Sequence, residues 1–156
     1  MPDHDRPLNR RGERTAEAMA EHFLAKAPVP DLILCSTAAR TRQTLAPLIE
    51  QLPPPAPPIA LENGLYLASE DMLLNRLQDL PQTVSTVLLI GHNEGMWRLA
   101  EMLAGQGKAT LLAALREKFP TGALATLEVE LKSWSKLAAG AATLTAFARP
   151  RDLVPD

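Results

Sequence analysis

Residues 86–95 read TVLLIGHNEG, in which a run of apolar and β-branched residues passes directly into Gly91, His92 and Asn93. A short apolar run that ends at a glycine is typical of a buried β-strand followed by a turn. We expect Gly91 to let the backbone turn sharply, which would carry the imidazole of His92 beyond the end of the strand. The stretch therefore predicts a strand with a chemically active side chain at its carboxyl end.

A second stretch of this kind lies upstream, where residues 31–35, DLILC, run into Ser36. The next residues, TAARTRQT, place Arg40 and Arg42 at the start of a predicted helix. If the two strands are parallel, their polar ends open on one edge of the sheet, where α/β proteins bind ligands. Residues two apart on a helix point about 200° from each other, so only one arginine can face that edge. A guanidinium beside helix-terminal N–H groups is well suited to bind phosphate.

Helical and strand patterns alternate along the rest of the chain. Asn9 is predicted to cap a helix that continues to about residue 26, and Ser69 is predicted to cap another. Further helices are predicted to end at the prolines of residues 53–58, near Gly105 and near residue 118, and further strands are predicted at 59–62, 123–131 and 141–148. This alternation indicates an α/β protein with helices on both faces of a sheet.

The composition indicates one globular domain, residues 1–156, with a loose tail at 149–156. The chain is 46% hydrophobic and 22% charged, with a formal net charge of −2. No basic run resembles a nucleic-acid footprint, and the longest apolar runs are too short to span a bilayer. Cys35 is the only cysteine, which excludes a disulfide framework and a thiolate metal cluster. We therefore expect a cytoplasmic protein with neither a nucleic acid nor a membrane as its partner.

Four segments, in the order of the family, resemble the histidine phosphatase superfamily. STAARTRQT (36–44) resembles its S-x-x-x-R-x-x-Q-T element, and GHNEG (91–95) resembles its second-histidine element. DRPLNRRGERTA (5–16) resembles the R-P-L-x-x-x-G-x-x-x-A segment that opens its first helix. FPTGALATLE (119–128) resembles the P-T-x-x-L segment of the SixA-like branch.

This resemblance implies a three-layer α/β/α sandwich with a mostly parallel sheet, the phosphoglycerate mutase-like fold. It also implies hydrolysis of a phosphohistidine protein or a small phosphomonoester, with no metal and no other cofactor. Arg40 corresponds to a phosphate ligand, His92 to the second histidine of the phosphate pocket, and Asn93 stands beside it as a substrate-binding candidate. Gln43 and Thr44 correspond to structural positions, and Arg42 is expected to point away.

One element of the family is missing from these 156 residues. The nucleophilic histidine of the family lies in an Arg-His-Gly or Arg-His-Ala element after a first strand, upstream of R-P-L. Here only residues 1–4, MPDH, precede that segment's Asp5. His4 has too few residues before it for a strand and lies between two aspartates, and His22 falls in an amphipathic helix. The chain is therefore expected to hold half of a catalytic site, without the family's first strand.

Three explanations for the missing element stay open: a mis-assigned start within a longer active protein, a phosphate-binding pseudoenzyme, or a piece that folds poorly. We favour the first, because MPDHDRPL reads like the middle of a family sequence. On any of them, residues 1–156 should show no measurable phosphatase activity. They should also be less stable than a version that includes the first strand, since its neighbours would lack hydrogen-bond partners.

The general acid and the class of function also have alternatives. Glu62, Glu70 and Asp71 are candidate acids, although solvated or helix-capping roles suit each of them better, and a phosphohistidine leaving group needs little protonation. A non-catalytic module that binds phosphate through Arg40 and His92 is the main alternative function. A nucleotide-binding protein is disfavoured, because neither G-x-G-x-x-G nor G-x-x-x-x-G-K-[ST] follows any predicted strand.

Overall fold

The computed structural model describes residues 1–153, whose strands form two three-stranded sheets. The first sheet has the order β2–β1–β3 and is entirely parallel. The second has the order β4–β6–β5, in which β4 is parallel and β5 antiparallel to β6. The strands are β1 Leu32–Ser36, β2 Ile59–Glu62, β3 Val87–Ile90, β4 Ala104–Gly107, β5 Leu124–Glu128 and β6 Ala142–Ala148.

Helices connect these strands, and the predicted α/β class is confirmed. They are α1 Arg10–Lys26, α2 Ala39–Gln51, α3 Glu70–Gln78, α4 Gly95–Leu103, α5 Ala109–Glu117 and α6 Pro150–Leu153. The two predicted helix caps are confirmed: the Asn9 side chain accepts from Gly12 N at 2.8 Å, and Ser69 Oγ accepts from Met72 N at 3.3 Å. Each cap satisfies an N–H group that the first helical turn leaves without a partner.

The alternation of side chains along β1 sets the layers of the fold. Ile33 and Cys35 pack into one hydrophobic cluster, whose helical members lie on α1 and α2. Leu34 packs into another cluster, whose helical members lie on α3 and α4. All three residues are fully buried, so β1 is covered by helices on both faces. Parallel sheets normally need such double coverage.

One local prediction is corrected by the structure. The helix through Met102 was expected to end near Gly105, but residues 104–107 form strand β4. Gly105 permits this, because a Cβ atom built there would lie 2.1 Å from the carbonyl oxygen of Gly140. The loose tail predicted for 149–156 begins with the short helix α6, and residues 154–156 lie outside the described part of the chain.

Strand β3 is less buried than its apolar sequence predicts. All four of its residues are partly exposed, because within residues 1–153 β3 pairs only with β1 and forms an edge of its sheet. Strand β5 is likewise an edge of the second sheet. Leu89 of β3 and Leu127 of β5 nevertheless pack against one hydrophobic cluster, so the two sheets share core contacts.

None of the described helices combines the length and the apolar character needed to cross a membrane.

Candidate anion-binding site

Polar side chains gather at the carboxyl ends of the three parallel strands of the first sheet. Ser36 ends β1 and leads into α2, which carries Arg40 in its first turn. His92 follows β3 after Gly91, and Tyr66 follows β2 after a short 3-10 turn. Because the strands are parallel and adjacent, these residues share one edge of the sheet. The predicted placement of Arg40 and His92 on one edge is therefore observed.

His92 is held by a serine from the neighbouring strand. Its Nε2 lies 2.9 Å from Ser36 Oγ, and Ser36 is fully buried. Ser36 Oγ also accepts from the backbone N–H of Ala38, just before α2. One hydroxyl thus orients the imidazole and supports the start of the helix that carries Arg40.

Gly91 matters because it has no side chain, which leaves room for a neighbouring residue, and not because its backbone conformation is unusual. Within residues 1–153, the glycines with positive φ are Gly107, Gly122 and Gly140. A Cβ atom at Gly91 would instead lie 3.0 Å from Met96 Sδ. The sharp turn predicted for Gly91 is thus replaced by a close approach between the strand end and α4.

The guanidinium of Arg40 forms a hydrogen-bonded ion pair with the carboxylate of Asp3. Its Nη1 donates to Asp3 Oδ1 at 3.2 Å and to the Asp3 carbonyl oxygen at 3.0 Å, and its Nη2 donates to Asp3 Oδ2 at 3.2 Å. This two-point contact is the geometry with which arginine binds carboxylates and phosphates. Arg42 is exposed and donates from Nε to the Thr37 carbonyl oxygen, so it does not share this anion.

Tyr66 completes the site and was missed in the sequence. Its hydroxyl donates to Asp3 Oδ2 at 2.5 Å, on the carboxylate that Arg40 holds. Its ring meets the His92 ring edge-on, with centroids 5.2 Å apart. The hydrogen bond from Tyr66 is the main factor that keeps the pKa of Asp3 below its usual value, and the hydrogen bonds from Arg40 lower it further. The available signal was that the chain's one tyrosine follows directly on a turn after a strand.

His4 lies in the short 3-10 turn of residues 3–5, beside Tyr66. Its ring packs edge-on against Tyr66 with centroids 4.9 Å apart. Its Nε2 lies 2.8 Å from Thr37 Oγ1, and its Nδ1 lies 3.1 Å from Asp5 Oδ1. Both ring nitrogens are therefore engaged by other side chains, although the residue borders the site.

The electrostatic surroundings favour the neutral form of His92. Partial burial is the main factor that lowers its pKa, and the positive charge of Arg40 lowers it further. Asp3 opposes this effect, because its carboxylate favours the imidazolium. A neutral imidazole can donate one hydrogen bond while it accepts another.

Other predicted site residues have different contacts. Asn93 is exposed and donates from Nδ2 to the Phe119 carbonyl oxygen at 2.6 Å, so its amide ties the turn after β3 to the segment before β5. Gln43 accepts from the Leu8 N–H at 2.7 Å, and Thr44 Oγ1 donates to the Arg40 carbonyl oxygen at 2.8 Å. These contacts suit the structural roles expected for Gln43 and Thr44.

Within residues 1–153, none of the three candidate acids forms a hydrogen bond with Arg40 or His92. Glu62 accepts from Arg76 Nε at 2.7 Å and from Nη2 at 2.8 Å. Arg76 lowers the pKa of Glu62, which makes this carboxyl a poor proton donor. Glu70 and Asp71 lie in the first turn of α3, where acidic side chains stabilise the helix.

Sequence and structure both relate this chain to known proteins. The model of the histidine phosphatase superfamily (branch 1) matches residues 2–66. An uncharacterized protein of Mycobacterium tuberculosis is 36% identical over 153 residues, which is 97% of this chain and 93% of that protein.

Two solved structures are similar over nearly the whole chain. The "putative phosphohistidine phosphatase SixA" of Nakamurella multipartitia has a TM-score of 0.82 at 31% identity, covering 96% of this chain and 88% of that one. The protein of the same description from Agrobacterium tumefaciens has a TM-score of 0.79 at 32% identity, covering 96% and 87%.

Proposed function

The chain belongs to the histidine phosphatase superfamily, and on that premise we propose that Arg40 and His92 bind the phosphoryl group of a phosphohistidine protein or a small phosphomonoester. The fold similarity to proteins described as phosphohistidine phosphatases supports a phosphoprotein as the substrate. The chemistry would be metal-independent, with hydrogen bonds and the guanidinium charge supplying the stabilisation.

One observation carries this proposal: Arg40 holds the Asp3 carboxylate through both of its terminal nitrogens, beside Tyr66 and His92. A carboxylate and a phosphoryl group both present paired oxygens to a guanidinium. This pairing supports the proposal that the site binds an anion of this kind. Asn93 stays a proposed substrate ligand, which would have to leave the Phe119 carbonyl to reach the phosphoryl group.

Hydrolysis through a phosphoenzyme needs a nucleophile that attacks phosphorus. His4 borders the site, but both of its ring nitrogens are engaged, and Asp3 and Asp5 flank it where a cation would help to hold phosphate. We therefore propose that residues 1–156 bind phosphate without turning it over. The absent first strand stays a proposal too, supported by the position of β3 and β5 at the edges of two separate sheets.

A non-catalytic phosphate-binding module is the second candidate function. The contacts of His4 with Thr37 and Asp5 favour it, because they leave His92 as the imidazole of the site, and His92 is proposed to bind phosphate rather than to attack it. We also propose a cytoplasmic location, which suits a single buried thiol: burial raises the pKa of Cys35 to about 11 and keeps it unreactive.

The test of the anion site compares the two arginines of α2. Arg40→Ala should weaken binding of inorganic phosphate or vanadate by about 1.5–3 kcal/mol, the usual size of a hydrogen bond to a charged group. Arg42→Ala is the matched control, since it removes the same charge from the same helical turn and should have little effect. Equal losses in both variants would mean that the site is placed on the wrong arginine.

A further inference from the structure

The hydrogen-bond donors of Arg40 and Tyr66, which could bind an anion, are occupied by a residue of the same chain. We propose that the Asp3 carboxylate is an internal competitor for the phosphoryl group, and that the Tyr66 hydroxyl becomes a phosphate ligand when Asp3 is displaced. This inference rests on the proposed function of the Arg40–His92 site. It adds two residues, Asp3 and Tyr66, that control which anions enter.

The contacts of Asp3 are those that a bound anion would make. Its two carboxylate oxygens accept three hydrogen bonds, two from Arg40 and one from Tyr66. Tyr66 in turn packs edge-on against His92. An anion that replaced the carboxylate would therefore meet the guanidinium and the phenol at once, beside the imidazole.

A displaced Asp3 keeps a partner. Arg6 Nη2 lies 3.1 Å from Asp3 Oδ1, and both side chains are largely exposed. The carboxylate can therefore turn toward Arg6 and water without leaving a buried charge unpaired. Release of the Asp3 carboxylate therefore leaves it paired with Arg6 in solvent.

A phosphoryl group has the intrinsic affinity needed to displace the carboxylate, whereas a singly charged ligand has less. A phosphate monoester carries about two negative charges at pH 7 and has three acceptor oxygens, against one charge and two oxygens for the carboxylate. It can engage Arg40, Tyr66 and His92 together. A free carboxylate such as acetate offers no additional charge or acceptor, and it must compete with a tethered group whose effective concentration is about millimolar.

The experiment measures the Kd of inorganic phosphate by isothermal titration for residues 1–156 and for single variants. Asp3→Asn should bind phosphate about tenfold more tightly, because the competing charge is gone while the size of the side chain is kept. Asp5→Asn is the matched control: it removes the same charge from the same turn, but Asp5 contacts His4 rather than Arg40. Its Kd should stay close to that of the unaltered chain.

Tyr66→Phe, introduced into the Asp3→Asn protein, tests the second half of the inference. It should lose about tenfold in phosphate affinity, because the ring packing is kept and only the hydroxyl is removed. Thermal melts of all the variants establish that each is folded. Acetate should compete with phosphate more effectively in Asp3→Asn than in the unaltered chain.

The possible outcomes separate this inference from the proposed function. Equal tightening in Asp3→Asn and Asp5→Asn would reflect net charge alone and would overturn the inference. Unchanged or weaker binding in Asp3→Asn would overturn it as well. If Arg40→Ala also leaves phosphate binding unchanged, the anion site itself is wrong; if Arg40→Ala abolishes binding, only the role of Asp3 is wrong.

Discussion

His92 Nε2 lies 2.9 Å from Ser36 Oγ, so one hydrogen bond joins the carboxyl ends of two neighbouring parallel strands. Ser36 is fully buried, and its hydroxyl also accepts from Ala38 at the start of α2. The imidazole and the helix that carries Arg40 are thus positioned by the same side chain. This relationship connects the stability of the sheet edge to the geometry of the site.

Ser36→Ala should destabilise the protein by about 1–3 kcal/mol, because it leaves a buried N–H and the imidazole without their partner. It should also weaken phosphate binding, since His92 loses its fixed orientation. Chemical denaturation and phosphate titration measure the two effects. Ser135→Ala, at an exposed serine, is the control and should change stability by less than about 0.5 kcal/mol. An unchanged stability in Ser36→Ala would contradict the proposed role of this hydrogen bond.

His92 should make stability depend on pH below neutrality. Its pKa is lower in the folded chain than in the unfolded one, so the unfolded state binds the proton first as the pH falls. The free energy of unfolding should therefore be level between about pH 7 and 8 and should decrease below about pH 6.5, by at most about 1.4 kcal/mol per pH unit for one proton. Asp3 and Glu62, whose pKa values are lowered, lose their contributions only in more acidic solution.

Denaturation curves between pH 5 and 8 test this dependence. His92→Gln should flatten the decrease between about pH 6.5 and 5. His22→Gln, on α1 and outside the site, should retain it. A decrease that persists in His92→Gln would assign the proton to another group.

Residues 1–156 should not hydrolyse p-nitrophenyl phosphate or a phosphohistidine protein, although they should bind inorganic phosphate. The reason is chemical: binding and electrostatic stabilisation do not replace a nucleophile. The hydrolysis and the phosphate-binding assays should use the same folded preparation, so that absence of turnover is not confused with loss of structure. Turnover that disappears in His4→Ala would make His4 the nucleophile. Turnover that disappears in His92→Ala while phosphate binding is kept would place the nucleophile at His92.

Gly95 should be intolerant of a side chain. A Cβ atom built there would lie 2.0 Å from the carbonyl oxygen of Ala68, two residues after Tyr66, so backbone must move. Gly95→Ala should therefore cost about 1–3 kcal/mol, despite the higher helix propensity of alanine. It should also weaken phosphate binding by displacing the segment that holds Tyr66.

Gly64→Ala is the control for this substitution, because no atom other than those of its two chain neighbours lies within 4 Å of a Cβ atom at that position. Its thermal midpoint should stay near that of the unaltered chain. Similar midpoints for the two variants would show that the contact between α4 and Ala68 relaxes without cost.

Much of the framework followed from local patterns. Asn9 and Ser69 cap the helices that their sequences predict, and the strands that end at Ser36 and before His92 lie side by side. These features depend on periodicity and on neighbours within a few residues. Parallel pairing of the two strands then brought Arg40 and His92 to one edge. The burial of the predicted strand at residues 86–90 was overestimated. Whether a strand lies at the edge of a sheet depends on its pairing partners, and an apolar run does not identify them.

The linear sequence thus determined most of the element types, the motif that carries Arg40, and the presence of a histidine at a strand end. Only the tertiary structure revealed that the Asp3 carboxylate pairs with the Arg40 guanidinium and that Tyr66 lies against His92. The hydrogen bond from Tyr66 to Asp3 spans 63 positions, and that from Arg40 spans 37. Contacts over such separations arise from strand order and from the packing of side chains, and neither leaves a periodic signal in the residues themselves.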